Sequence, residues 1–108
     1  MKTAELTDEL LDYWVAKAIN LTAESAVDFG LGCPDWLQRF KPSTNPTHGW
    51  PIIEDTRISL DDFSLGGDKF WLASIHGEHA AEGPTALIAA MRSKVASVYG
   101  DEVPDHGN

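Results

Sequence analysis

The densest run of reactive side chains in the sequence is His76-Gly77-Glu78-His79. A histidine and a glutamate two positions apart begin the zinc deaminase pattern, in which the His binds metal and the Glu moves protons. That pattern also needs a Pro-Cys-x-x-Cys downstream, and no cysteine follows Cys33. His76 and His79, with Glu82 or His106 as a third ligand, could still meet around a metal. On a polar stretch beside glycine they read more simply as solvated, and no metal is assigned. Gly66-Gly67 lacks the spacing of a phosphate loop, and there is no Gly-x-Ser-x-Gly elbow. The adjacent acids Glu54-Asp55 and Asp61-Asp62 diverge in extended chain and read as solvated turns. No catalytic residue and no cofactor is assigned.

Residues suited to binding are easier to find. Lys41 to Pro51 holds three prolines, a glycine and the small polar residues Ser43, Thr44, Asn45 and Thr47. This composition argues against a strand or a helix and for a loop satisfied by its own side chains. Irregular loops of this length are often binding loops. Ser43, Thr44 and Asn45 can hold ribose or phosphate oxygens, His48 lies in the same segment, and Trp50, between Gly49 and Pro51, can stack on a planar group. Thr85, at the start of a helix, offers free backbone N–H groups to an anion. Arg92, beside the apolar stripe of that helix, could reach the site edge. These seven residues are the candidate ligand-binding set.

Two helices and a small sheet must position them. Thr7 is a suitable N-cap for a first helix, with Asp8 and Glu9 in its first turn. Leu10, Leu11, Trp14, Val15, Ala18 and Ile19 form its apolar stripe, with Asp12 and Lys17 off it. Leu21 to Lys41 is loop-rich, interrupted by Gly30, Gly32 and Pro34, with short helical turns possible at Ala23–Phe29 and Asp35–Phe40. Ile52-Ile53 starts a short strand, Ile58-Ser59-Leu60 suggests a second, and Lys69 to Ile75 is the best strand by composition. His76 to Glu82 reads as a loop. The last helix follows Gly83-Pro84-Thr85, with Pro84 in its first turn, a stripe of Leu87, Ile88, Met91, Val95 and Val98, and Gly100 as its stop. The expected fold is α+β: two main helices flanking a small antiparallel sheet or meander, with a long irregular loop. Residues 1–100 form a single domain and residues 101–108 an acidic flexible tail.

Composition narrows the function classes. The chain has 108 residues, enough for one core and no second domain. Seventeen acidic residues against eight basic ones give a charge of −9, and the basic residues are scattered. General nucleic-acid binding, which depends on clustered Lys and Arg, is disfavoured. The one cysteine, Cys33, allows no intrachain disulfide and suits a reducing compartment. No leader pattern appears at the N-terminus, and no apolar run approaches the roughly 20 residues that span a bilayer. The expectation is a cytoplasmic protein with no membrane partner. A chain this small has little volume for a deep pocket, so a homo-oligomer, dimer or tetramer, with its site near the interface is expected.

Three blocks of sequence carry a resemblance. Lys2-Thr3-Ala4-Glu5-Leu6-Thr7 with Trp14-Val15-Ala16-Lys17-Ala18 resembles the start of the NinX-like proteins of lambdoid and related phages. Pro42-Ser43-Thr44 and Pro51-Ile52-Ile53-Glu54 are similar to the family's central motif. Gly83 to Arg92, Val95-Ala96-Ser97 and Gly100-Asp101-Glu102-Val103 are similar to its end. The family more often has glycine where Trp50 stands. The resemblance implies an accessory phage protein in the infected cell, and it brings no catalytic residues. By analogy with small phage proteins that counter host defence, the expected function is an anti-defence sponge. It would sequester a nucleotide-derived immune signal, such as a cyclic dinucleotide or an ADP-ribose derivative, without turnover. The alternatives are a protein–protein inhibitor or adaptor acting on a host or phage recombination factor, and an enzyme degrading a nucleotide signal.

Overall fold

A computed structural model describes residues 2–31 and 35–103, without the side chains of residues 63–65 and 68. Cys33 and His106 lie outside the described residues. The order is a 3-10 turn at Thr3–Glu5, α1 (Asp8–Ala18), α2 (Ala23–Ala26), a 3-10 turn at Val27–Phe29, α3 (Trp36–Arg39) and α4 (Pro46–Thr56). Then come β1 (Ile58–Leu65), β2 (Asp68–Ile75), β3 (Glu78–Gly83) and α5 (Ala86–Tyr99). The fold is α+β, with one antiparallel meander in the order β1-β2-β3.

α5 is the central element. It packs on all three strands, and α1 and α4 pack on α5. Thr85 caps it through a hydrogen bond accepted from the Ile88 amide, so Pro84 precedes the helix and does not enter its first turn. A helix covered on several sides is buried around most of its circumference. Ala89, Ala90, Met91, Ser93 and Val95 are buried, while Val98, expected in the stripe, is exposed. Gly83 shows how close the packing is. A Cβ there would sit 2.6 Å from the Ala89 backbone nitrogen, so only glycine lets β3 run under α5.

Four local expectations are corrected. The segment read as a long loop is α4 from Pro46 onward. Asn45 caps it by accepting from the Thr47 amide, and Pro46 takes the first position, where no N–H is needed. Pro51 sits inside this helix, and Ile52 and Ile53, read as a strand, are its buried residues. Gly49 belongs in it because a Cβ would lie 2.6 Å from both the Pro42 carbonyl oxygen and Leu87. His76 to Glu82, read as a loop, is instead a hairpin turn and the edge strand β3. His76 and Gly77 take positive φ, and a register shift follows with His79 at φ 55°. Asp61 and Asp62, read as turn residues, lie within β1.

The core joins α1, α4, α5 and the inner sheet face. Leu11, Val15, Phe40, Ile53, Met91 and Val95 are at its centre. Trp14 anchors α1 edge-to-face against Tyr13 and Tyr99, each at 5.3 Å. The tail expected to fray from Asp101 is held through residue 103. The Thr3 amide donates to the Asp101 carbonyl, Lys2 bridges to Glu102, and Val103 is buried. Among the described residues no helix is long and apolar enough to cross a membrane.

Candidate functional site

A groove of about 620 Å³ opens between α1 and α3. Leu10, Leu37 and Phe40 supply its apolar wall, and Glu9, Asp12, Tyr13, Gln38 and Lys41 its polar and aromatic groups. Pockets of a few hundred Å³ with an apolar wall and a few convergent polar groups are the usual form of a small-molecule site. A second groove of about 660 Å³ lies beside Lys2, Tyr99, Asp101 and Glu102. The first is the candidate site, because a buried, hydrogen-bonded carboxylate is part of its lining.

That carboxylate is Asp12, read from sequence as lying off the buried face of α1. Its residue is only 6% exposed. The reason is a bond across the chain: the Ser43 amide donates to Asp12 Oδ1 at 2.9 Å. Burial raises the Asp12 pKa above its ordinary value, opposed by the Ser43 side chain, the Ser43 amide and the charge of Lys41. The Ser43 hydroxyl is near enough to favour the ionised acid, yet it meets full hydrogen-bond geometry with no protein group.

His48 holds the other side of the same turn. Its Nδ1 accepts from the Lys41 amide at 3.0 Å, which fixes the Nε2–H tautomer for the neutral ring. The ring stacks on Phe40 at 5.8 Å between centroids, and Phe40 meets Phe29 edge-on. Burial lowers the His48 pKa, with the Asp12 charge opposing. Asp12 and His48 thus clamp the 41–45 turn, and that turn brings Lys41 to the groove, with Phe40 packed beneath it.

The seven residues expected at a site from sequence take different places. Ser43 and His48 are buried behind the groove wall and hold it. Thr44 is exposed, and Asn45 and Thr85 cap helices. Trp50 is 45% exposed on α4. Gly49 packs against Leu87, so the first turn of α4 does meet the first turn of α5. Arg92 is committed elsewhere. Its Nε donates to the Leu6 carbonyl at 2.8 Å, and a terminal nitrogen donates to the Glu82 carbonyl at 2.7 Å. Burial lowers its pKa. Arg92 therefore joins the N-terminal segment, α5 and β3, and is not a cation held ready for a ligand.

Sequence reasoning missed Glu9, Asp12, Tyr13, Gln38 and Lys41. One signal was available: an acid next to Leu11 and two positions before Trp14 falls partly inside a buried arc. Among the described residues, no group of three or more His, Cys, Asp or Glu is arranged to hold a metal.

Fold and groove define a small α+β domain with a shallow, partly apolar site and a clamped turn beside it. The chain belongs to the NinX family of bacteriophage P22: the family described as "Bacteriophage P22, NinX" matches residues 2–98. No curated protein matches it.

Proposed function

We propose that this phage protein works by binding. It holds a small nucleotide-derived ligand in the α1–α3 groove, unchanged, and so withdraws a host immune signal inside the infected cell. The observation that carries this reading is the groove, with the ring of Tyr13 beside the carboxylates of Glu9 and Asp12 and the cation of Lys41. An aromatic ring supports a base by stacking. A carboxylate accepts from amino and imino N–H groups of a base edge, and Lys41 is placed to pair with one phosphate. Two acids against one cation favour a ligand with few phosphates, such as a cyclic dinucleotide, over a triphosphate.

Calorimetric titration with cyclic dinucleotides and ADP-ribose derivatives tests the proposal. One of them should bind, should be recovered chemically intact after heat release, and should bind about tenfold more weakly to Lys41→Ala. Silence across the panel would sink the idea, and conversion of the ligand would favour the enzyme alternative. The exposure of Leu37 and Trp50, at 47% and 45%, favours a second reading, an adaptor or inhibitor acting on a host or phage protein. A stoichiometric protein partner with no nucleotide bound would support it.

A further inference from the structure

The two edges of the sheet are treated differently. β3 is closed off by α5: Ser93 Oγ donates to the His79 carbonyl at 2.6 Å, and Arg92 donates to the Glu82 carbonyl at 2.7 Å. These are outward-facing carbonyls of an edge strand, so the helix caps the groups a further strand would need. β1 has no such cover. It is eight residues long, and among the described residues no strand pairs with its outer side.

Its outward groups follow from the turn. Gly66 and Gly67, with φ of 62° and 92°, form a two-residue hairpin loop flanked by the pair Leu65–Asp68. Such a loop closes on a hydrogen-bonded pair, and bonded and non-bonded pairs then alternate. Leu65, Phe63, Asp61 and Ser59 therefore bond to β2. Ser64, Asp62, Leu60 and Ile58 turn their N–H and C=O groups outward. The second hairpin agrees with this phase, because it directs Ile75 toward Glu78 and leaves Glu82 facing out, where Arg92 meets it.

Charge selects the occupant. Asp61 and Asp62 are adjacent at the centre of β1, both exposed, and alternation puts one on each face. Arg57 precedes the strand and Lys69 lies across from Ser64, so the acidic stretch is central and bounded by cations. A second copy pairing antiparallel about that centre would set acid against acid between chains of charge −9. We propose that the β1 edge is a docking strand for an extended segment of a partner protein carrying adjacent basic residues, added to the sheet as a fourth strand. Its backbone would bond to residues 58, 60, 62 and 64. Its two neighbouring cations would face opposite sides and meet Asp61 and Asp62. This mode of recognition draws affinity from the backbone and specificity from alternating side chains.

The test uses a displayed library of random linear dodecapeptides selected on the full chain. Enriched peptides should contain adjacent Lys or Arg flanked by β-branched residues. A synthetic copy should protect the amides of residues 60, 62 and 64 from hydrogen exchange. Binding should weaken about tenfold in Asp61→Lys/Asp62→Lys, and should be lost when alternate peptide nitrogens are methylated. The methylated peptide leaves the protein untouched, so the proposal stays testable even where the double variant folds poorly. Enriched peptides without basic residues, protection at another element, full binding of the methylated peptide, or no enrichment would each overturn it.

Discussion

At Asp12 and His48 the same small region carries two opposite dependences on pH. Burial raises the Asp12 pKa from 3.8, so the folded chain holds that proton more tightly than the unfolded chain does. The resulting stabilisation is complete below 3.8 and is lost as pH rises through the folded value. His48 is shifted the other way: burial lowers its pKa from 6.5, so the fold favours the neutral ring. Its contribution is present above 6.5 and is lost as pH falls through the folded value. Protonation of Nδ1 also removes the acceptor of the Lys41 amide. Asp12→Asn keeps an oxygen for the Ser43 amide without the ionisable group. Urea midpoints measured against pH should therefore lose their decline above pH 4 in this variant, and an unchanged profile would show that Asp12 does not set it. Asp12→Ala, which leaves the buried Ser43 amide without an acceptor, should lower stability by about 1–3 kcal/mol. His48→Asn keeps an acceptor near Nδ1 but gives up the stack on Phe40. Its stability should be lower at neutral pH and flatter on the acid side of 6.5.

The elements meet at contacts that only particular residues allow, and these contacts explain what was hidden in the sequence. Gly49→Ala should lower stability by about 1–3 kcal/mol, since the new methyl meets the Pro42 carbonyl, which is backbone and cannot swing aside. A thermal midpoint equal to that of the parent would mean the α4–α5 crossing is looser than described. Arg92→Ala should lower stability by about 2–4 kcal/mol, because two carbonyls lose a charged donor. Any ligand affinity left in the folded fraction should be unchanged, which separates a structural bolt from an anion site. α1 and α5 were legible because each carries a long apolar stripe, with acids in the first turn of α1 and Gly100 after the last turn of α5. α4 was not, since its glycine and second proline suggest a loop unless the closeness of Pro42 and Leu87 is known. β3 was hidden for a related reason. Its inward positions are Ala81 and Gly83, small because α5 lies so near, and this erases the alternation that marks a strand. The groove was concealed by Asp12, whose partner Ser43 is 31 positions away in the chain.

Over the whole molecule, charge and exposed apolar area pull against each other, and this makes assembly testable. The chain has a radius of gyration of 13.4 Å, close to the roughly 13 Å of a single compact domain of its length. It leaves Leu37, Trp50, Val98 and Tyr99 between 38% and 48% exposed. Closed symmetric oligomers are the common way for small proteins to cover such area. Each copy also carries −9, so bringing copies together is opposed by a repulsion that salt screens within about 10 Å at 0.1 M. Association through the apolar residues should therefore strengthen as salt rises. Light scattering at micromolar concentration should then report a whole multiple of 11.8 kDa at high salt and a smaller mass at low salt. Trp50→Glu, which adds an acid to the exposed face of α4, should shift the balance toward one chain while leaving helix content unchanged. Assembly that places two copies of Lys41 near one ligand would also supply the second cation that a single groove lacks. In that case a dinucleotide should raise the measured mass at a fixed salt concentration. A mass of one chain under every salt and ligand condition would exclude a shared site and leave the groove of a single copy to do the binding alone.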